Sequence, residues 1–385
     1  MRQNLLLIAT FLSLVLHGYI AWRLLPALSL GPSVFAFALG LLMVSGFFAP
    51  APLLIRLSRL PARAADALAW VGYLSMGIFS TLLVLCLLRD ALLLLLSGWN
   101  LLQPETMDME YLRHSTAFAV VVLSILVSVI GFVNARRLAK VVHVDLPVAG
   151  LPVALSGFII VQLSDIHVGP TIKHGYLKAI VRRVNGLNAD LVAITGDVID
   201  GSVDRLRKHV APLSELRSRH GTYCVTGNHE YYHGVEEWLQ EWRNLGMRVL
   251  LNESEVLHHD GERLLIGGVT DFSAHRFDET HKSDPAAAAR SADPVSIKVL
   301  LAHQPRSAAA ASEAGFDIQL SGHTHGGQFL PWNFFVPMQQ PFVAGLKRLN
   351  MLLVYTSRGT GYWGPPLRFC APSEITRLRL VPATV

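Results

Sequence analysis

The spacing of apolar positions along this chain changes near residue 140. Before that point they form long, nearly unbroken runs; after it they form short runs separated by polar turns. The runs at 5–21, 34–55, 67–88 and 116–133 match what is needed to cross a hydrocarbon core about 30 Å thick, which takes roughly 20 residues of helix. The first is expected to stay as an uncleaved helix, because Arg2 is the only charge before it and no small-residue cleavage site precedes Arg23. The run at 91–96, set off by Arg89-Asp90, either extends the third helix or lies in the interface. Pro50 and Pro52 are expected to kink the second helix near its end.

Beyond residue 140 the pattern alternates between two periods. Strand-like runs at 158–163, 191–195, 223–226, 297–301, 318–320, 352–356 and 375–380 alternate, in the first part, with helical patterns at 173–187, 203–217 and 236–245. Residues 141–155, with Pro147 and Pro152, read as a short strand and a turn. A hairpin is expected around 255–268, and 271–294 reads as a long loop or a short exposed helix. Such alternation implies an α/β sheet with crossover helices. The expected organisation is a transmembrane region of about four helices over 1–140 and an α/β domain over 141–385.

Composition and charge refine this picture. The hydrophobic fraction of 51%, the charged fraction of 16% and the mean hydropathy of +0.40 average over two unlike parts, with the excess in the first. Cys86, Cys224 and Cys370 are too few and too scattered for a disulfide framework, which fits a reducing compartment for the second part. The net charge of +5 comes without a basic run, so nucleic acid is not expected as a partner; the lipid bilayer is. Short loops rich in Lys and Arg stay in the cytoplasm, and Arg56, Arg59 and Arg63 fall on the same side as Arg136, Arg137 and Lys140 if there are four spans. The other side holds Arg23 and a mixed loop with Glu105, Asp108, Glu110 and Arg113. Both termini are therefore expected in the cytoplasm of a multi-pass inner-membrane protein. Within the spans the one deep ionisable residue is His17, best read as facing its helix neighbours.

The chemistry lies in five loops, each placed after an apolar strand-like run: Asp165-Ile166-His167, Gly196-Asp197-Val198-Ile199-Asp200, Gly227-Asn228-His229-Glu230, Ala302-His303-Gln304 and Gly322-His323-Thr324-His325-Gly326-Gly327-Gln328. Taken singly each has a bland explanation as a helix cap, a turn or a core histidine. Taken together, in an α/β sheet whose functional groups gather beyond the carboxyl ends of strands, they point to one shared site. Mixed imidazole, carboxylate and amide donors without cysteine suit Mn, Fe or Zn better than Ca or Mg. The donors are too many for one tetrahedral ion, whereas two ions about 3.5–4 Å apart would use them, an arrangement suited to displacing a phosphoryl leaving group.

This ordered series resembles the calcineurin-like metallophosphoesterase superfamily over roughly residues 157–381. Within it the chain is most similar to the membrane-associated YkuE and YaeI type, through Ser164-Asp165-Ile166-His167, the Gly-Gly-Gln ending at Gln328 and the segment Ser357-Arg358-Gly359-Thr360-Gly361. The four amino-terminal spans also resemble the transmembrane proteins with a metallophosphoesterase domain. The resemblance implies a four-layer α/β sandwich. It implies that Asp165, His167 and His325 hold a first divalent metal, that Asn228, His303 and His323 hold a second, and that Asp197 bridges them. It gives His229 the role of protonating the leaving oxygen, which agrees with the wish for a group that is protonated near neutral pH. Glu230 either orients His229 or is an ordinary helix-start carboxylate, and Arg358 either reaches a phosphate or joins a surface pair. Purple acid phosphatases place a tyrosine where Asp200 stands, and Ser/Thr protein phosphatases continue with Asp-Arg-Gly where this chain continues with Gly201-Ser202, so neither subclass is expected.

The expected activity is hydrolysis of a phosphodiester or pyrophosphate bond in a lipid-linked substrate, for example a UDP-acylglucosamine. The alternative is a membrane receptor or scaffold that binds metal without turnover. The uncharged aromatic stretch 329–338, bracketed by Pro331 and Pro337, reads either as a core strand or as a lip dipping into the membrane interface.

Overall fold

The computed structural model describes residues 2–53, 60–104, 107–291 and 294–383. Arg56, Arg59 and Glu105, which enter the charge argument, and Val385 lie outside these residues. The chain divides into two compact units.

The first unit is helical. It contains α1 (Arg2–Leu24), α2 (Pro32–Phe48), α3 (Ala62–Leu102) and α4 (Met109–Arg136). All four helical segments are long and apolar enough to cross a membrane. Small residues such as Ala65, Ala69, Gly72, Ala117, Ser124 and Gly131 turn inward, while Leu7, Phe11, Phe37, Leu94, Phe118 and Ile125 are exposed on the outside. That inversion, small inside and bulky apolar outside, is how helices pack in lipid. His17 is buried as expected, with Nδ1 on the Ser13 carbonyl at 2.8 Å and Nε2 3.2 Å from the Ser45 hydroxyl.

Helix α2 is interrupted at Ala49-Pro50 and resumes over residues 51–53, within one apolar span that runs Pro32–Leu53, because Pro50 and Pro52 cannot donate to the preceding turn. The run at 91–96 belongs to α3, which carries on to Leu102 and is about 60 Å long at 1.5 Å per residue. Arg89-Asp90 does not break it because both charges are answered from other helices. Arg89 donates to the Thr116 hydroxyl at 3.1 Å and the Arg113 carbonyl at 3.0 Å, and Asp90 accepts two bonds from Arg23 at 2.8 and 2.9 Å.

Two segments distant in sequence, Phe329–Pro331 and Gly364–Phe369, also belong to the helical unit. The Ser80 hydroxyl of α3 donates to the Leu330 carbonyl. The Arg368 amide donates to the Gly131 carbonyl of α4 at 2.9 Å. Leu367 packs so closely on α3 that a methyl added at Gly77 would fall 2.5 Å from its Cδ1.

The second unit is a sandwich of two six-stranded sheets. One has the order β1 (Lys140–Val148), β12 (Glu374–Pro382), β2 (Ile159–Leu163), β3 (Leu191–Thr195), β4 (Thr222–Val225) and β5 (Arg248–Val249). The other has the order β10 (Gly345–Leu349), β11 (Leu352–Thr356), β9 (Ile318–Ser321), β8 (Ile297–Leu301), β7 (Glu262–Gly268) and β6 (Glu253–His259). Alternate residues of both sheets, such as Ile160, Leu191, Ala193 and Tyr223 against Leu264, Ile266, Val299 and Ile318, close a common core. Each such aliphatic side chain contributes about 1.5–3 kcal/mol by leaving water. The unit also holds the helices α5 (His174–Asn185), α6 (Val203–Val210), α7 (Asn228–Tyr232), α8 (Val235–Asn244), α9 (Pro285–Ala288), α10 (Ala308–Glu313) and α11 (Trp332–Gln339), and strand residues of opposite parity such as Leu265, Leu300 and Val354 pack on α9 and α10.

Three expectations change here. The helical pattern at 203–217 stops as an α-helix at Val210, because Pro212 tightens residues 211–215 into a 3₁₀ turn. Within 271–294 the short helix α9 is packed rather than exposed, with Ala288 buried against a core that includes Leu265 and Phe316. The stretch 329–338 is neither a strand nor core along its length; from Trp332 it is the helix α11, in which no residue is buried.

Candidate metal centre

Strands β2, β3 and β4 run parallel, as do β8, β9 and β11, so their carboxyl ends open the loops that carry the polar clusters. The loops are stitched together beyond the sheets. Asp165 N–H donates to the Gly196 carbonyl at 3.0 Å, His167 N–H to the Asp197 carbonyl at 3.2 Å, and Gly322 N–H to the His303 carbonyl at 2.9 Å. Holding side chains at such tight corners bends the backbone into the left-handed region at Asp165, His167, Asp197, His323 and His325, with φ between 51° and 69°. Asp and His tolerate that region better than most residues, but such conformations cost on the order of 1–3 kcal/mol each and persist where the surroundings over-determine them.

The side chains converge in four overlapping groups, within each of which the donor atoms lie within 4.8 Å of one another: Asp165, His167 and His325; His167, Asp197 and His229; Asp197, His303 and His323; Asp200, His229 and His233. Asp197 is the hinge of the arrangement. Its Oδ2 is 3.2 Å from His303 Nε2 and 3.9 Å from His167 Nε2, while its Oδ1 accepts the His229 amide at 2.8 Å. The rings also pair with one another: His167 and His325 face Nε2 to Nε2 at 3.1 Å, and His323 Nδ1 lies 3.2 Å from His303 Nε2.

The donor set fits divalent cations on two further observations. Asn228 Oδ1 is buried without a hydrogen-bond partner among the described residues, a cost that coordination would remove. The second nitrogens of two imidazoles are tied down, His303 Nδ1 to the Thr195 carbonyl at 2.8 Å and His167 Nδ1 to Asp200 Oδ1 at 3.1 Å, which aims each Nε2 lone pair inward.

Electrostatics reflect the crowding. Burial alone would raise the Asp197 carboxyl, but His303 and His229 outweigh it and hold it well below the usual carboxylate range. Burial would lower His229, yet Asp197 and Asp200 carry it up to about 9. His323 is pushed down to about 3 by burial and by the neighbouring His303.

Sequence reasoning missed the partner of His229. Asp200 Oδ1 binds His229 Nδ1 as well as His167 Nδ1, so one carboxylate orients both rings. Glu230 does not orient His229. It accepts the backbone N–H groups of Asp197, Val198 and Gly227 at 3.0, 2.9 and 2.7 Å and clamps two loops together. Arg358 gives an Nη1 bond to the buried Glu374 at 2.9 Å, with its stem against Gly326 of the histidine loop.

Fold and site together define a metallophosphoesterase joined to apolar helices of membrane-spanning length. A family model described as calcineurin-like phosphoesterase matches residues 158–327. The chain is 38% identical over 275 residues to "Transmembrane protein with metallophosphoesterase domain" of Danio rerio, covering 69% of this chain and 63% of that one. It is 36% identical to an uncharacterized metallophosphoesterase of Campylobacter jejuni, covering 70% of each, and 31% identical to uncharacterized metallophosphoesterase YkuE of Bacillus subtilis, covering 59% of this chain and 80% of that one. The chain belongs to the calcineurin-like metallophosphoesterase family, whose members normally hold two divalent metals.

Proposed function

We propose that this protein is a membrane-anchored phosphoesterase that cleaves a phosphodiester or pyrophosphate bond in a lipid-linked substrate, a UDP-acylglucosamine being one example. The observation that carries this is the convergence of Asp165, His167, His303, His323 and His325 with Asp197, and of His229 beside them, in a chain with four helical segments of membrane-spanning length. In this reading Asp165, His167 and His325 hold one divalent ion, Asn228, His303 and His323 the other, and Asp197 is shared. Two such ions, Mn, Fe or Zn, supply charge stabilisation for the phosphoryl oxygens and a nucleophile at neutral pH.

The remaining work falls to the chain. His229 Nδ1–H rests on Asp200, which leaves Nε2 directed at the centre to give a proton to the leaving oxygen. The hydrogen bond to Asp200 favours the charged imidazole and keeps that proton on the ring. Asp200 fixes the ring plane, so the donor is in place before substrate arrives. The α/β domain is proposed to face the cytoplasm of an inner-membrane protein, since Arg63, Arg136, Arg137 and Lys140 fall in loops on the same side when the chain crosses four times.

The test is turnover of a panel of nucleotide diesters, lipid phosphates and lipid-linked pyrophosphates by the detergent-solubilised, Mn-loaded protein, with and without chelator. Chelator-sensitive cleavage, faster for the acylated members, is expected. Stoichiometric metal binding with no turnover of any member would favour a metal-binding receptor or scaffold.

A further inference from the structure

Helix α11 carries large apolar side chains that nothing in its own unit covers. Trp332 is 42% exposed, Phe334 61%, Phe335 46% and Met338 80%, and Trp363, edge-on to Trp332 at a centroid distance of 6.1 Å, is 38% exposed. No charged side chain occurs between His325 and Lys347. A soluble surface rarely gathers so many exposed rings without a use for them.

The course of the chain indicates their cover. The residues just before α11, Phe329–Pro331, belong to the helical unit, where α3 donates its Ser80 hydroxyl to the Leu330 carbonyl. The residues just after Trp363, Gly364–Phe369, also belong to it, bound to Gly131 of α4 and packed on Gly77 of α3. Both ends of the aromatic patch are thus continuous with loops seated on helices of membrane-spanning length. Tryptophan and phenylalanine side chains flanking such helices prefer the zone where headgroups meet acyl chains.

The patch is equally tied to the metal centre. A methyl added at Gly327, two residues beyond His325, would fall 2.6 Å from Asn333 Cα, so the ligand loop and α11 touch backbone to backbone. Gln328 fastens the other ring, donating to the Trp363 carbonyl at 2.7 Å and accepting the Trp363 amide at 2.9 Å.

We propose that α11 and Trp363 form a lip embedded in the bilayer surface, along which the acyl part of a lipid-linked phosphoester stays in lipid while its phosphate reaches the histidine loop. The substrate class rests on the phosphoesterase reading; the embedding of the lip does not.

Two measurements on the full chain in proteoliposomes of phosphatidylethanolamine and phosphatidylglycerol separate them. A nitroxide attached at F334C, in a C370S background, should be accessible to oxygen and shielded from an aqueous nickel complex; a label freely reached by the nickel complex would overturn the lip, whatever the enzyme does. The triple variant W332S/F334S/F335S should lower turnover of a long-chain lipid phosphodiester in those vesicles by about tenfold or more, and leave a soluble nitrophenyl diester within about twofold. Equal loss of both substrates, or no loss of either, would overturn the role in substrate access. If the unaltered protein cleaves neither, the phosphoesterase reading fails while the nitroxide still decides where the lip lies.

Discussion

At the scale of single residues, the centre depends on groups that act through others. If Asp197 is shared by both ions as proposed, D197N should weaken both sites together, because a neutral amide bridges poorly between two cations. Elemental analysis of the purified variant should find well under two ions per chain, and full retention of both would contradict the shared role. In the proposed mechanism His229 gives a proton rather than holding metal. H229A should keep the metal content yet lower kcat by about 10²–10⁴-fold for a poor leaving group, with a smaller deficit for nitrophenolate. Uniform losses across leaving groups would assign His229 to binding. D200N, which removes the carboxylate seating both His167 and His229, is expected to lose about 10–100-fold in activity, as outer partners of metal-ligating histidines do. A D200N protein as active as the parent would show that the rings need no such support.

At the scale of elements, the loop after β11 locks the loop after β2. Thr360 N–H donates to the Ser164 carbonyl at 2.7 Å and Gly361 N–H to the Asp165 carbonyl at 3.0 Å. Gly361 is there for closeness, since a methyl at that position would fall 1.9 Å from the Ile166 carbonyl oxygen. G361A must therefore push two backbones apart, with an expected cost of about 1–3 kcal/mol and a lowered Tm, together with looser metal binding through Asp165. An unchanged Tm and metal affinity would mean the loops shift at no cost. The same element shows a limit of sequence reading. The stretch from Ser357 to Gly361 is legible as a family-like motif whose arginine invites a functional reading, whereas the bracing role of Thr360 and Gly361 is invisible in it. Their hydrogen bonds are to residues nearly two hundred positions earlier, and no local pattern encodes them.

At the scale of the whole molecule, orientation is the open geometric question that one experiment answers. A reporter fused after Val385 should behave as cytoplasmic, and one inserted at 103–109 as extracytoplasmic, because the arginines at 63, 136 and 137 favour retention of their loops. Alkaline phosphatase activity from the carboxyl-terminal fusion would reverse the assignment.

The sequence by itself determined the two-part character of the chain, the strands of the sandwich other than β5 and β10, and the loops whose Asp165, His167, Asp197, His303, His323 and His325 the fold brings together. Each of these is written in short-range terms: run length for a span, alternation for a strand, and donor type at fixed spacing for a ligand loop. Tertiary structure alone decided three things. Arg89-Asp90 stays inside one long helix because Arg23, Arg113 and Thr116 answer the charges from elsewhere in the chain. Asp200, rather than Glu230, seats His229, because loops after different strands meet only when the sheet forms. In the apolar stretch at 329–338, Phe329 is buried and the residues from Trp332 form an exposed helix instead of a strand, a choice that an apolar run of that length, fitting either period, does not make by itself. Such long-range partners carry no local signature, and so could be read only from the folded chain.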